Sequence, residues 1–97
     1  MMKYRISNLA QQDLEDIWFY TVDEWSLEQA EKYISGLLSC FEGLAEGNVI
    51  GKPVDYVRKG YKKALYGKHY IFYRTATDKV IEIIRVLHMR MDVESRL

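Results

Sequence analysis

Residues 69–92 constrain the fold more than any other part of the chain, because they predict two adjacent apolar strands. Residues 70–73 (YIFY) are aromatic or β-branched, residues 77–79 (TDK) can form a turn, and residues 80–87 are largely apolar. A lone hairpin is only marginally stable in water. The rest of the chain must therefore supply further strands and at least one covering layer.

A short strand and an amphipathic helix are predicted at the N-terminus. Apolar and polar residues alternate over residues 3–7, which is typical of an edge strand with one buried face. Ser7 or Asn8 can then cap a helix, because a short polar side chain accepts hydrogen bonds from the first-turn amides. Asp13 and the other acidic and amide side chains are expected largely on the solvent side of this helix. Its apolar stripe recurs every three or four positions and should face the core: Ala10, Leu14, Ile17, Trp18 and Thr21.

The second predicted helix has the clearest helical pattern in the sequence. Ser26 and Gln29 form a capping box before an apolar run, and Gly47 ends the run as a C-terminal cap. The short connection at Trp25 and Ser26 favours an antiparallel helical hairpin. The stripe that should face the core consists of Ala30, Tyr33, Ile34, Leu37, Leu38, Phe41, Leu44 and Ala45.

The remaining residues complete an α+β fold. Residues 47–53 hold two glycines and the sole proline and are predicted to form a loop, whereas residues 61–66 alternate as a strand does. Gly67 and Lys68 link that strand tightly to the hairpin. We therefore expect a single domain over residues 1–97: an N-terminal strand, an antiparallel helical hairpin packed on a three- to four-stranded antiparallel sheet, and a short C-terminal tail.

Composition and cysteine usage predict a cytoplasmic protein without a cofactor. A lone cysteine, Cys40, cannot form an internal disulfide, which agrees with a reducing compartment. No stretch resembles a signal peptide, and the apolar runs are far shorter than the roughly 20 residues that cross a bilayer, so no membrane partner is expected. The two histidines lack Cys or carboxylate neighbours at ligand spacing, so we expect no metal site.

Charge is unevenly distributed along the sequence. Residues 1–50 hold three basic and nine acidic side chains, a net charge of −6, whereas residues 51–97 hold eleven basic and five acidic ones, a net charge of +6. One interpretation is that the two halves pair across the fold. The other is that the second half presents a basic surface to an acidic peptide or to nucleic acid.

The basic excess is concentrated in two places. Residues 52–68 interleave cations with tyrosines, which suits phosphate contacts, base stacking or an acidic amphipathic peptide, although lysines also protect an exposed strand edge. His88 and Arg90 emerge at the end of the last strand. His88 could act as a general acid or base while Arg85 or Arg90 neutralises a phosphate, but a structural or partner-contact role for His88 is the simpler interpretation.

Three segments carry a family resemblance that covers essentially the whole chain. They are YRIS followed by NLAQQDLEDIW at residues 4–18, YIFYR at residues 70–74, and the ending IIRVLHMRMDVESRL at residues 83–97. Together with the order of the elements, these segments resemble the ParE branch of the RelE/ParE toxins of bacterial toxin–antitoxin pairs. The strand and the ending are the more specific parts of the resemblance, since a helical hairpin alone is common.

The resemblance implies a toxin that acts by binding rather than by catalysis. Such a toxin inhibits DNA gyrase by stabilising its cleaved-DNA complex, is neutralised by a ParD-type antitoxin, and reaches operator DNA only through that antitoxin. The gyrase-inhibition candidates that follow by position are His88, Arg90, Met91, Asp92 and Arg96. The antitoxin-binding candidates are Arg58, Lys62, Tyr66, Tyr73, Arg74 and Arg85.

Two alternatives remain open at this point. A RelE-like toxin would be a ribosome-dependent mRNA endoribonuclease, with His88, Arg85 and Arg90 as its catalytic candidates. The residues after His88 resemble the ParE ending instead, and no tyrosine lies near the C-terminus. A non-toxic module that only binds the antitoxin would have the same core with changed surface residues.

Overall fold

The helices begin and end where their capping residues predict. The computed structural model describes residues 4–97. Helix α1 spans Asn8–Glu24, and the Ser7 hydroxyl accepts a hydrogen bond from the Ala10 amide at 3.0 Å. Helix α2 spans Leu27–Glu46, begins with the same contact between the Ser26 hydroxyl and the Gln29 amide, and ends at Gly47 with a φ of 82°. Glycine adopts that left-handed conformation without a Cβ clash.

Within residues 4–97, five strands form the sheet, one more than the upper limit predicted. Strands β1 (Tyr4–Ile6), β2 (Lys52–Pro53), β3 (Lys62–Tyr66), β4 (His69–Thr75) and β5 (Ile81–His88) lie in the order β1-β5-β4-β3-β2. The extra strand is β2, a two-residue edge strand inside the predicted loop. Proline has no amide hydrogen to donate to a neighbouring strand and is therefore confined to sheet edges. Pro53 is tolerated in β2 because β2 is an edge strand.

The sheet is mixed, whereas an antiparallel sheet was predicted. Strand β1 lies at an edge, as expected, but runs parallel to β5, with Tyr4 opposite Ile81 and Ile6 opposite Ile83. A parallel neighbour requires a long crossover, and the two helices with the rest of the sheet supply it. Lys3, the first residue of the predicted strand, lies outside the described residues.

The hairpin of β4 and β5 forms as predicted, with a turn over residues 77–79, but it contains a β-bulge. Phe72 pairs with Arg85 and Tyr73 pairs with Ile83, so Ile84 is an extra residue on β5. A bulge resets the alternation of side chains along a strand. Ile83 and Val86 consequently both join the core beneath the helices, although they are three residues apart.

The helices cover one face of the sheet and enclose the main core. Leu37 and Phe41 of α2 are fully buried against Ile71 and Ile83 of the central strands, and the Phe41 ring meets Tyr4 edge-on at 5.7 Å. Burial of a side chain of this size contributes about 1.5–3 kcal/mol. Neither helix has the length and apolar character needed to cross a membrane, among the residues described.

A second, smaller cluster lies on the opposite face of the sheet. Phe72, Leu87 and Val54 are almost completely buried there. The residues that cover them come from the loop between β2 and β3, from β4 and from the C-terminal tail, residues 89–97: Val57, Tyr61, Tyr70, Val93 and Leu97. The tail is therefore packed against the sheet rather than extended into solvent.

Candidate functional site

His88 lies in a cluster of aromatic side chains at one end of the sheet. It is opposite His69 on β4, and the two imidazole rings meet edge-on with centroids 5.4 Å apart. The Nδ1 atom of His88 accepts a hydrogen bond from the Arg90 amide at 3.2 Å. Tyr33 of α2 and Tyr66 of β3 complete the cluster, with their rings 5.2 Å apart.

The Tyr33 hydroxyl joins α2 to the turn between β3 and β4. It accepts a hydrogen bond from the Lys68 amide at 3.1 Å, and lies 3.1 Å from the Tyr66 carbonyl and 2.7 Å from Nδ1 of His69. The hydroxyl can donate its single proton to the Tyr66 carbonyl or to Nδ1 of His69, and the direction of the contact with His69 depends on the histidine tautomer. Burial, with the neighbouring His88 as a smaller cause, lowers the pKa of His69 to about 4. His69 is therefore a neutral hydrogen-bonding residue near neutral pH.

Two glycines make room for the tyrosines. A Cβ atom at Gly36 of α2 would lie 1.7 Å from the Tyr66 hydroxyl, and one at Gly67 would lie 2.6 Å from the Tyr33 hydroxyl. Gly67 also has a positive φ of 56°. The cluster is thus fixed by close packing as well as by hydrogen bonds.

Arg85 is held in an ion pair with Asp13 of α1. Its Nε and Nη2 atoms each donate to one carboxylate oxygen at 2.8 Å, and only 13% and 10% of the two side chains are exposed. The same carboxylate accepts from the Val86 amide at 3.0 Å. The contact raises the pKa of the Arg85 guanidinium. The prediction that Asp13 faces solvent is wrong, because this partner lies 72 residues away in sequence and satisfies the buried charge.

The tail candidates are exposed. Arg90 lies in the turn after β5, and the side chains of Met91, Asp92 and Arg96 are solvent-accessible on a segment anchored by Val93 and Leu97. Met91 and Asp92 also line a cleft of about 210 Å³ between the tail and the loop around Tyr56 and Val57. The cleft floor is Phe72 and its rim carries Lys63. The tail therefore presents cations and an apolar edge side by side.

The antitoxin candidates separate into exposed and buried groups. Arg58, Lys62 and Arg74 are exposed, and Arg74 donates to Glu82 at 2.6 Å. Tyr73 is only 4% exposed, and its hydroxyl accepts from the Gly51 amide at 2.8 Å. Tyr66 is half-buried against α2. Tyr73 and the paired Arg85 are thus largely withdrawn from the exposed surface on which they were predicted, whereas Tyr66 remains partly exposed.

The ribonuclease candidates do not share one environment. His88 faces His69, whereas the Arg85 guanidinium is engaged by Asp13 and by the Arg96 carbonyl. Arg90 is an exposed turn residue. The His88 ring and the Arg85 guanidinium thus have different contacts, and Arg90 meets His88 through its backbone amide.

Large apolar side chains are exposed on the helical hairpin. Phe19 and Trp25 are 67% and 74% exposed. Phe19 and Asp16 lie three residues apart on the face of α1 that points away from the core. Patches of this kind mark surfaces that contact other proteins. The set at this end comprises Phe19, Tyr20, Trp25 and Leu27.

Sequence reasoning missed Asp13, His69 and Tyr33 as site residues. A signal was present for Asp13, which lies three residues after Ala10 and four before Ile17, within the apolar stripe. A charge at such a position indicates a buried partner. His69 alternates with Ile71 on the helix-facing side of β4, so its inward orientation could also have been read from the strand pattern.

Comparison with known proteins identifies the family. Residues 4–93 match the family of ParE toxins of the type II toxin–antitoxin system parDE. The chain belongs to the ParE toxin family. It is 41% identical over 95 residues to Toxin ParE1 of Mycobacterium tuberculosis, covering 98% of this chain and 97% of that one. It is 40% identical over 97 residues to Toxin ParE1 of Caulobacter vibrioides, covering all of this chain and 99% of that one.

A solved structure shows the same fold. A chain of the chromosomal ParDE toxin–antitoxin system from P. aeruginosa superposes with a TM-score of 0.76 at 21% identity, covering 91% of this ParE family member and 96% of that chain. The helical hairpin on a sheet is therefore the shared ParE architecture, and this chain is a ParE-type toxin of a type II toxin–antitoxin system.

Proposed function

We propose that this ParE-type toxin acts as a single domain, without a cofactor, by binding DNA gyrase and stabilising its cleaved-DNA complex. The match of residues 4–93 to the ParE toxin family carries the proposal. The exposed tail adds support, since Arg90 and Arg96 are cations suited to phosphate, and Met91 is an adaptable apolar contact beside them. Inhibition by binding requires a presented surface rather than an acid–base pair, and the Arg85 guanidinium is already engaged by Asp13 and by the Arg96 carbonyl.

A ParD-type antitoxin is the proposed neutralising partner. The exposed cations Arg58, Lys62 and Arg74 suit an acidic segment, and the aromatic residues of the helical hairpin supply apolar area for an amphipathic one. This toxin would reach operator DNA only through that antitoxin. Free and neutralised toxin would then differ in whether these two surfaces are covered.

Induced expression with and without a ParD-type antitoxin tests the activity in cells. Toxin alone should arrest growth, with DNA breaks and filamentous cells, and co-expressed antitoxin should restore growth. With purified components, the toxin should raise the amount of cleaved DNA trapped by gyrase. Cleavage of mRNA on translating ribosomes with gyrase unaffected would overturn the proposal in favour of a ribonuclease, and no growth effect would indicate a non-toxic antitoxin-binding module.

The role of the tail is best tested with point substitutions. Deleting residues 91–97 would remove Val93 and Leu97 from the second cluster and uncover Phe72 and Leu87, so lost toxicity could reflect lost stability. Replacing the exposed side chains Arg90 and Arg96 with alanine leaves that packing intact. The double variant should trap less cleaved DNA while keeping its thermal midpoint and its antitoxin affinity. Unchanged trapping would contradict the assignment of the tail.

A further inference from the structure

Helix α1 takes the place of a missing strand along the second half of β5. Strand β1 pairs with β5 only as far as Ile83, and Ser7 extends the contact by donating its amide to the Ile83 carbonyl at 2.9 Å and its hydroxyl to the Ile84 carbonyl at 2.7 Å. Beyond that point the Val86 amide donates to the Asp13 carboxylate at 3.0 Å. Asp13 therefore satisfies a backbone group that a longer β1 would have paired.

Arg85 extends this contact to the C-terminal tail. Two of its nitrogens are fixed by Asp13, and the third, Nη1, donates to the Arg96 carbonyl at 3.2 Å. A guanidinium is planar and rigid, so the two hydrogen bonds that Nε and Nη2 donate to the Asp13 carboxylate also set the direction in which Nη1 points. The Arg96 and Leu97 amides both donate to the Val93 carbonyl, at 3.0 and 3.1 Å, which closes the tail into one turn.

We propose that Asp13 is a positioning residue for the tail: through Arg85 it holds residues 93–97 against the sheet and so fixes the direction in which the tail presents its exposed side chains. This inference rests on the proposed role of the tail in binding gyrase. Asp13 lies on α1 and is not among the gyrase-contacting candidates, so its effect on activity would be transmitted through Arg85.

Apolar contact alone holds the tail weakly. Val93 and Leu97 are half-buried, and the remaining tail residues are exposed. Without the Asp13 carboxylate, Arg85 would be a partly buried cation lacking its counter-charge, and the cost of that burial favours turning the guanidinium toward water. The Arg96 carbonyl would then lose its donor, and within residues 4–97 the turn at residues 93–97 would keep only its two apolar side chains as anchors on the sheet.

Hydrogen exchange on the full chain tests the positioning directly. In Asp13→Asn, the Arg96 and Leu97 amides should exchange at least about tenfold faster than in the wild type, after correction for any change at the core amide of Ile71. Glu82→Gln is the matched control: it makes the same change to a carboxylate that also binds arginines, Arg5 at 3.0 Å and Arg74 at 2.6 Å, but does not contact the tail. Its corrected tail exchange should stay within about twofold of the wild type.

The proposal would be overturned if the corrected exchange rates of the tail amides were equal in Asp13→Asn and the wild type. It would also be overturned if Glu82→Gln accelerated the exchange of these amides as much as Asp13→Asn does. Should Asp13→Asn fail to fold, Arg85→Lys provides the same readout, because a single ammonium group cannot reproduce the fork and the third contact together. Faster corrected tail exchange in that variant supports the proposal, and unchanged exchange overturns it.

Gyrase trapping separates positioning from general stability. Asp13→Asn should lower the cleaved DNA trapped by gyrase by about tenfold or more, while its affinity for the antitoxin changes by less than about threefold. A parallel loss of both activities would indicate a structural role only and would overturn the proposal. If the wild type traps no cleaved DNA, the proposed function is wrong, and the exchange experiment still decides whether Asp13 positions the tail.

Discussion

The Tyr33 hydroxyl lies 2.7 Å from Nδ1 of His69, which joins the middle of α2 to the start of β4. The same hydroxyl accepts from the Lys68 amide. Tyr33→Phe removes both contacts while keeping the ring, so we expect a loss of about 1–2 kcal/mol in the free energy of unfolding. Urea denaturation measures this loss. Tyr20→Phe is the control, since that side chain is exposed, and an equal effect of the two changes would contradict the prediction.

Stability should rise with pH between about 4 and 6.5. Burial, as the main cause, lowers the pKa of His69 to about 4 in the fold from its ordinary value of 6.5, so the unfolded chain binds a proton in this window that the folded chain does not. The contribution of His69 to the free energy of unfolding is therefore fully present above this window and is lost as the pH drops through it. His69→Gln should flatten the dependence measured by urea unfolding at several pH values. Titration of His69 near its ordinary pKa by NMR would contradict the prediction.

Gly36→Ala should destabilise the toxin even though alanine is the better helix former. The added Cβ would lie 1.7 Å from the Tyr66 hydroxyl, and displacing that ring disrupts its edge contact with Tyr33. Overpacking of this kind costs about 1–3 kcal/mol, which exceeds the gain of roughly 1 kcal/mol in helix propensity. The thermal midpoint should fall. Ser39→Ala, an exposed change on the same helix, should not lower it.

Charge reversal at Arg58 and Lys62 should weaken antitoxin binding. Both side chains are exposed, so replacing them with glutamate changes the surface and leaves the core intact. We expect the double variant to bind a ParD-type antitoxin about tenfold or more weakly, with a smaller dependence on salt. Calorimetry at two ionic strengths measures both. Lys32→Glu on the exposed side of α2 is the control, and an equal loss in that variant would argue against this site.

The local elements were predictable because their signals are local. Ser7, Ser26 and Gly47 set the helix boundaries through contacts within a few residues. The pairing of β1 with β5 could not be predicted in this way, since the sequence of a three-residue strand does not indicate which strand it will pair with. The same applies to the bulge at Ile84, which depends on how Phe72 and Tyr73 pair across the hairpin.

The site was less predictable than the fold, because its side chains are oriented by partners distant in sequence. Arg85 carried the charge expected of a surface contact, and only the position of Asp13 on the folded helix shows that the charge is already paired. Tyr73 likewise resembled a contact residue until the approach of Gly51 placed its hydroxyl inside the fold. His88 and the exposed tail, by contrast, lie at the end of β5 as the sequence indicated.

The parallel pairing of β1 with β5 also determines when the toxin can complete its fold during synthesis. Tyr4 pairs with Ile81 and Asp13 pairs with Arg85, so β1 and the buried carboxylate of α1 lack their strand and charge partners until β5 has been made, although Tyr4 can already contact Phe41 of α2. Contacts of such long sequence separation form late because loop closure must precede them. The sheet of a nascent toxin is consequently incomplete until β5 has been synthesised, which leaves an antitoxin already present in the cell the opportunity to meet the toxin as it matures.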